Sequence, residues 1–336
     1  MRGWTHWTTI GMGAIATTGA LGGTGDVPPD YGFDWATIGD PGNRATNDDE
    51  VFKFFGNQHL GAVDYTYRIS TTEVTVGQYF EFVEAYLPYY EANTGNIFGS
   101  SDFTGGLIRT ASGHAHIRDG ISENRAAQMS WEYAARYVNW LHNGKATNEA
   151  AFETGVYDTS TFTQNDDGSW NHQLAHNPGA SFWIPTRDEM TKAAYWDPSK
   201  NNGEGGYWLF PGSSDDELIP GLERNAGDRD SYPLDVGSFP DIQSPWGLLD
   251  VAGGVSEWLE TIDTGPFVRF AHGSDWSDIT YGDLLPLDTI GYGTPSGATN
   301  GSFGLRIASV PAPSTGAVVL LGLTCVGTRS RRRGRG

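Results

Sequence analysis

The sequence predicts an α+β fold with few helices, short strands and a high irregular content, and three observations carry that prediction. Only three stretches join a helix-start signal to apolar residues at helical spacing. Strand-like alternation is brief. The 46 Gly and 12 Trp point to many turns and irregular segments held by large aromatic side chains.

Taken in order, Phe33-Asp-Trp-Ala-Thr-Ile38 runs into a Gly/Asn turn at Gly39-Asp-Pro-Gly-Asn43. Val63-Asp-Tyr-Thr-Tyr-Arg-Ile-Ser70 alternates apolar and polar residues and reads as a strand. Thr75 and Gln78 have the spacing of a capping box, followed by Val76, Tyr79, Phe80, Val83 and Tyr86 at helical intervals. A second helix is expected after Ser130 as cap, with Trp131, Ala134, Ala135, Val138 and Leu141 on one stripe. Thr186 and Glu189 form another capping box ahead of Met190, Ala193 and Ala194. His114 and His116 would share one face of a strand, with no third ligand at matching spacing, so a polar surface is the expectation there. Asp166-Asp-Gly168 reads as a turn, and Asp48-Asp-Glu50 and Ser213-Ser-Asp-Asp-Glu217 as solvated acidic loops.

Composition narrows the function. With 21 Lys and Arg against 41 Asp and Glu, the formal charge of −20 repels phosphate, which excludes nucleic acid as a partner for the body of the chain. A single cysteine excludes an intramolecular disulfide, a cysteine-rich zinc site and a CxxC redox pair. No Gly-rich phosphate loop, GxSxG elbow or HExxH helix is present.

The ends differ from the body. Residues 1–25 hold no acid, carry Arg2 near the start and an apolar stretch from Ile10 to Leu21, and read as a secretory signal peptide. Residues 310–336 combine Val310-Pro-Ala-Pro-Ser314, an apolar run from Thr315 to Thr328 and five arginines, Arg329, Arg331, Arg332, Arg333 and Arg335. The run is shorter than the roughly 18–20 residues of a membrane span, yet the arginines have the sign of a stop on the cytoplasmic side. The layout resembles the bacterial PEP-CTERM sorting signal, which implies an exosortase-type processing enzyme as partner and membrane contact only through this segment; Ala312 stands where that signal usually has Glu. An ordinary tail anchor with a basic stop is the alternative. Either reading implies export to the cell surface or outside the cell. Without Arg2 and the five tail arginines the body would carry 15 − 41 = −26.

Residues 31–309 carry six blocks in one order. They are Tyr67-Arg-Ile-Ser-Thr-Thr-Glu-Val-Thr-Val-Gly-Gln-Tyr79, Met129-Ser-Trp-Glu-Tyr-Ala-Ala-Arg-Tyr-Val-Asn-Trp-Leu141 and Trp183-Ile-Pro-Thr-Arg-Asp-Glu-Met190, then Gly247-Leu-Leu-Asp-Val-Ala-Gly-Gly-Val-Ser-Glu-Trp258, His272-Gly-Ser-Asp-Trp276 and Phe303-Gly-Leu-Arg-Ile307. This series resembles the formylglycine-generating enzyme, or sulfatase-modifying factor, family. The resemblance implies a fold related to C-type lectin-like domains and copper-dependent oxidation of a substrate cysteine, using two cysteines shortly after the fifth block. The corresponding positions here are Ser277 or Asp278 and Gly282 or Asp283, and the lone Cys325 lies in the tail. Without thiolates to capture Cu(I), no copper and no formylglycine production are expected.

The same resemblance implies structural calcium. One site would use the Asp250 and Glu257 side chains with the Gly253 and Val255 carbonyls, and a second the Asn225 and Asp230 side chains with the Ala226 and Tyr232 carbonyls; Asp228 competes with Asp230, and a Gly-Gly turn beside a solvated Glu is the alternative to the first. Oxygen donors suit this ion. Three functions follow from different classes. The preferred one is a noncatalytic, calcium-stabilised surface domain that binds a glycan or extracellular matrix polymer. The alternatives are an oxidoreductase of the formylglycine-generating and sulfoxide synthase superfamily with different chemistry, and a structural surface component.

Overall fold

The computed structural model describes residues 27–51, 58–94, 107–111, 113–219, 234–262, 268–275, 291–293 and 303–311. The expected signal peptide, the tail from Ala312, the Ser277–Asp283 region and the second calcium set (Asn225, Ala226, Asp230, Tyr232) lie outside the described residues. Along the chain run β1 (Trp35–Ile38), β2 (Tyr67–Ser70), α1 (Val76–Thr94), β3 (Ile108–Ala111), β4 (His114–Ile117), α2 (Trp131–His142), α3 (Ala150–Glu153) and a 3-10 turn (Thr159–Thr161). There follow β5 (Phe182–Trp183), α4 (Arg187–Tyr195), β6 (Trp196–Asp197), a short helical turn (Lys200–Gly203), β7 (Gly206–Tyr207), β8 (Ser256–Ile262), β9 (Arg269–His272), β10 (Gly291–Gly293), β11 (Phe303–Gly304) and β12 (Ala308–Ser309). This is the α+β arrangement the sequence predicts.

Two four-stranded sheets order as β1-β2-β12-β5 and β10-β9-β8-β11, with β3-β4 and β6-β7 as separate hairpins. β12 lies antiparallel between β2 and β5, with Ala308 opposite Ile69 and Trp183. β11 runs parallel to β8, placing Gly304 opposite Glu257. Leu305, Arg306 and Ile307 therefore cross from one sheet to the other, and all three are fully buried. Backbone bonds from Val74 N–H to the Leu305 carbonyl (2.8 Å) and from Ser70 N–H to the Ile307 carbonyl (2.9 Å) hold that crossing against the segment after β2.

The helices start as their chemistry dictates, with one exception. At α1 the Thr75 hydroxyl accepts from Gln78 N–H (3.2 Å) and the Gln78 amide oxygen accepts from Thr75 N–H (2.9 Å). The Thr186–Glu189 box at α4 is likewise complete. Ser130 occupies the cap position of α2, but its hydroxyl makes no capping bond. On α1 the buried stripe runs through Val76, Tyr79, Phe82, Val83, Tyr86, Leu87 and Tyr90, whereas Phe80 is only partly buried. The stripe is wider than expected because α2 and α3 cover it: Phe82 packs edge-on to Tyr137, Trp140 and Phe152. α2 buries eight of its twelve residues, beyond the expected stripe, so it is an internal helix.

The strand expected at Val63–Ser70 is confined to Tyr67–Ser70, and all four residues are buried. Neighbours on both faces remove the need for alternation. His114 and His116 sit exposed on one face of β4, as expected. One acidic loop needs correction: Glu50 is buried, held by Arg44 through two 2.6 Å bonds and by the Tyr207 and Asn47 amides.

Irregular chain of this length needs internal hydrogen-bond partners, and Asn139 supplies four. Fully buried on α2, it donates to the Phe152 and Tyr157 carbonyls (both 2.9 Å) and accepts from Val156 N–H (2.9 Å) and Tyr157 N–H (2.8 Å). Truncation strands two donors and two acceptors without water. Asn139→Ala is expected to lower stability by roughly 3 kcal/mol or more, read from a shifted urea midpoint at unchanged slope; a change below about 1 kcal/mol would refute the assignment.

Candidate functional site

The Gly247–Trp258 block turns sharply before entering β8. Asp250 is left-handed at φ 53°, and Gly254, at φ 67°, passes so close to Glu73 that a Cβ there would lie 2.5 Å from its Oε1. Left-handed backbone at a non-glycine residue is uncommon, though Asp tolerates it better than most. This turn presents Asp250 and Glu257 inward, and Glu73, from the loop after β2, joins them. Glu73 and Glu257 are 1% exposed.

The three carboxyls face one guanidinium. Arg306, fully buried, donates through Nη2 to Glu257 Oε1 (3.0 Å) and the Leu249 carbonyl (2.8 Å), and through Nη1 to the Ser70 carbonyl (3.0 Å). Asp250 Oδ2 accepts from Gly237 N–H. Glu73 Oε2 and Glu257 Oε2 are buried with no hydrogen-bond partner. Burial pushes the Glu257 carboxyl up to about 7 even though Arg306 pulls it down. Burial, with the charges of Asp250 and Glu257, holds Glu73 well above the usual carboxylate range, and burial raises Asp250. With all three ionised, the one cation would not balance them.

A cradle lies beside Glu257. A Cβ on Gly273, at φ 82°, would sit 2.6 Å from the Val251 carbonyl and 3.0 Å from Glu257 Oε2, so only glycine lets these oxygens and the β9 end approach. Ser274 Oγ accepts from Gly253 N–H (3.0 Å) and Ser256 Oγ donates to the Gly273 carbonyl (3.0 Å), which locks the turn to the strand end. An unpartnered buried carboxyl oxygen, a nearby carbonyl and more acids than cations are hard-donor chemistry that fits Ca²⁺. Among the described residues no three His, Cys, Asp or Glu side chains group as a metal site, so backbone carbonyls would complete such a shell.

His272, opposite Glu257 in the β8-β9 ladder, finds a partner that no sequence spacing announced. Its Nε2 lies 3.1 Å from the Tyr195 hydroxyl, and its buried Nδ1 has none. Burial, with the nearby charges of Arg306 and Arg187, pushes the imidazole down to about 3, so it is neutral. Glu73 and Arg306 stand in recognisable sequence blocks, but only folding discloses that they meet.

At the other end of β8, Glu260 Oε1 accepts from the Tyr157 hydroxyl (2.8 Å), His176 N–H (2.6 Å) and His176 Nδ1 (2.9 Å). The imidazole stacks on Trp183 at 5.0 Å. Burial lowers the His176 pKa, but the hydrogen bond and charge of Glu260, with Glu189 beyond, outweigh it and the net shift is upward.

Residues 40–309 match the sulfatase-modifying factor enzyme 1-like domain, and the chain belongs to that family. Among solved structures it is similar to CarF (18% identity, 83% of this chain and 99% of that one, TM-score 0.48) and to variable protein 1 of Treponema denticola (18%, 83% and 95%, 0.49). PvdO from Pseudomonas aeruginosa is a third such structure (16%, 82% and 94%, 0.44). No curated protein matches the chain.

Two outcomes follow from this geometry. Arg306→Met, assayed in chelator, is expected to cost about 3–5 kcal/mol by leaving buried carboxylates uncompensated. The loss should be larger at pH 8 than at pH 5, where Glu257 carries a proton; a pH-independent loss would contradict the cluster. For His176, the raised pKa contributes stability below the unfolded value near 6.5, lost as pH rises through the higher folded value. Glu260→Gln should move the His176 NMR titration midpoint from above 6.5 to below it, since burial then prevails; an unmoved midpoint would exclude the pairing.

Proposed function

We propose that this chain is a noncatalytic member of its family: an exported, calcium-stabilised domain, displayed at the cell surface, that binds an extracellular ligand of the glycan or matrix-polymer class. The observation that carries this reading is the retention of a buried acidic turn, with an unpartnered Glu257 oxygen, in a domain whose residues 31–309 contain no cysteine. The family's copper chemistry needs thiolate ligands. The residues present do not fit that ion, and no oxidation step is derived for this chain.

Asp250 and Glu257 would hold calcium with the Gly253 and Val255 carbonyls. The ion would supply the positive charge that Arg306 alone does not, so its role here is to fasten the turn to β8. The acidity of the body favours neutral or cationic polymers over anionic ones. Export, exosortase-type processing and residence at the cell surface rest on the two ends of the sequence. Among the described residues no helix is long and apolar enough to cross a membrane.

Purified full chain should melt at higher temperature with calcium than with chelator. At about 100 times Kd the linkage is worth about 2.7 kcal/mol. Asp250→Asn and Glu257→Gln should each weaken the response, copper should not reproduce it, and a sulfatase-type peptide should gain no formylglycine. Calcium-insensitive melting would count against the site, and formylglycine or a stoichiometric redox metal would overturn the noncatalytic reading in favour of an oxidoreductase.

A further inference from the structure

The β3-β4 hairpin stands apart from both four-stranded sheets, and its outer face carries two imidazoles that play no part in the acidic turn. The strands pair antiparallel from Ile108–Ile117 to Ala111–His114. Side chains alternate along β4: Ala115 and Ile117 pack against the core, and His114 and His116 are exposed. The pleat therefore fixes both histidines on one face, about 6.8 Å apart along the strand.

Neither imidazole is committed within the protein. Among the described residues no hydrogen bond, ion pair or ring contact engages His114 or His116. Other histidines are tied down: His142 accepts from Ser181 N–H (3.1 Å), His172 meets Glu132 (2.9 Å), His176 meets Glu260 (2.9 Å) and His272 meets Tyr195 (3.1 Å). Imidazole nitrogen suits zinc and its neighbours in the transition series, at zinc–nitrogen distances of about 2.0–2.1 Å. Rings on alternate residues of a strand can turn about χ1 and χ2 to converge on one ion. Engagement of the second ring is then intramolecular, so the pair retains an ion that a single surface histidine would release. No third His, Cys, Asp or Glu groups with them among the described residues, so water would fill the remaining positions. Such a site is open and exchangeable, unlike a closed structural one.

Charge tunes its strength. Arg109 is exposed and lies opposite His116 in the ladder, which puts a like charge beside one ligand. Arg118 and Asp119, both exposed just beyond β4, are of opposite sign. The chain as a whole, at −20, draws cations toward its surface.

We propose that His114 and His116 chelate one divalent transition cation of the zinc class on the outer face of this hairpin. The site shares no residue with the Asp250–Glu257 turn and offers nitrogen where that turn offers oxygen. It stands whether or not the turn holds calcium, and it involves no redox step.

The test is calorimetric titration of zinc into the full chain, without added histidines, at about pH 7.5 and in excess calcium, which competes for oxygen donors and not for imidazole. His114→Thr and His116→Thr should each weaken zinc binding at least tenfold. Their melting temperatures should not change, because both positions are exposed and threonine suits a strand. Arg109→Gln should tighten binding about threefold at low salt by removing the like charge, and raising salt to about 500 mM should shrink that gain. Nitrogen-15 NMR of the rings should show zinc shifting His114 and His116 together. No zinc binding, full affinity in either histidine variant, weaker binding in Arg109→Gln, or a shift confined to one ring would overturn the proposal.

Discussion

A guanidinium with no access to water depends on whatever surrounds it, and the two terminal nitrogens of Arg306 are held by three separate parts of the chain, the end of β2, the Leu249 turn and Glu257 on β8, while its Nε has no partner. Because Arg306 lies between β11 and β12, those bonds join the two four-stranded sheets at the point where the chain passes between them. A fully buried ion is costly unless its partners are fixed. The fold meets this by drawing two of Arg306's three partners from the Ser70 and Leu249 backbone carbonyls, which cannot move away without unmaking β2 or the turn.

That arrangement has a consequence for the acids. Arg306 satisfies one oxygen of Glu257 and leaves the other, with Glu73 Oε2, unpartnered in the interior. The cluster is therefore stable as protonated acids or with added positive charge, and the second is the condition under which calcium would act. His272 contributes no charge here, since burial, aided by the charges of Arg306 and Arg187, keeps the imidazole neutral.

Elsewhere the irregular chain is organised by large side chains that each carry one polar anchor. Trp258 stacks on Phe303 at 4.4 Å and donates to the Met129 carbonyl, while Trp131 donates to the Leu259 carbonyl and lies under Arg269 at 3.8 Å. Such residues bury a large apolar area and fix orientation through the indole N–H. They let segments without regular ladders hold position, which explains how short strands and long loops support a defined interior.

Local signals in the sequence carried the elements that depend on local chemistry. Both capping boxes, the apolar stripes of α2 and α4, and the Asp166–Gly168 turn arise from contacts within a few residues, and the ordered blocks identified the family scaffold. Asp250 and Glu257 were singled out together through the family resemblance of their block. What the tertiary structure alone decided is every relation across long separations. Examples are Glu73 beside Asp250 and Glu257, Arg306 bridging β2 and β8, Tyr195 against His272, and Glu50 accepting from the Tyr207 N–H. The physical reason is that a side chain's burial and charge environment are set by the residues packed upon it, and in this fold those come from strands and turns tens to hundreds of residues away.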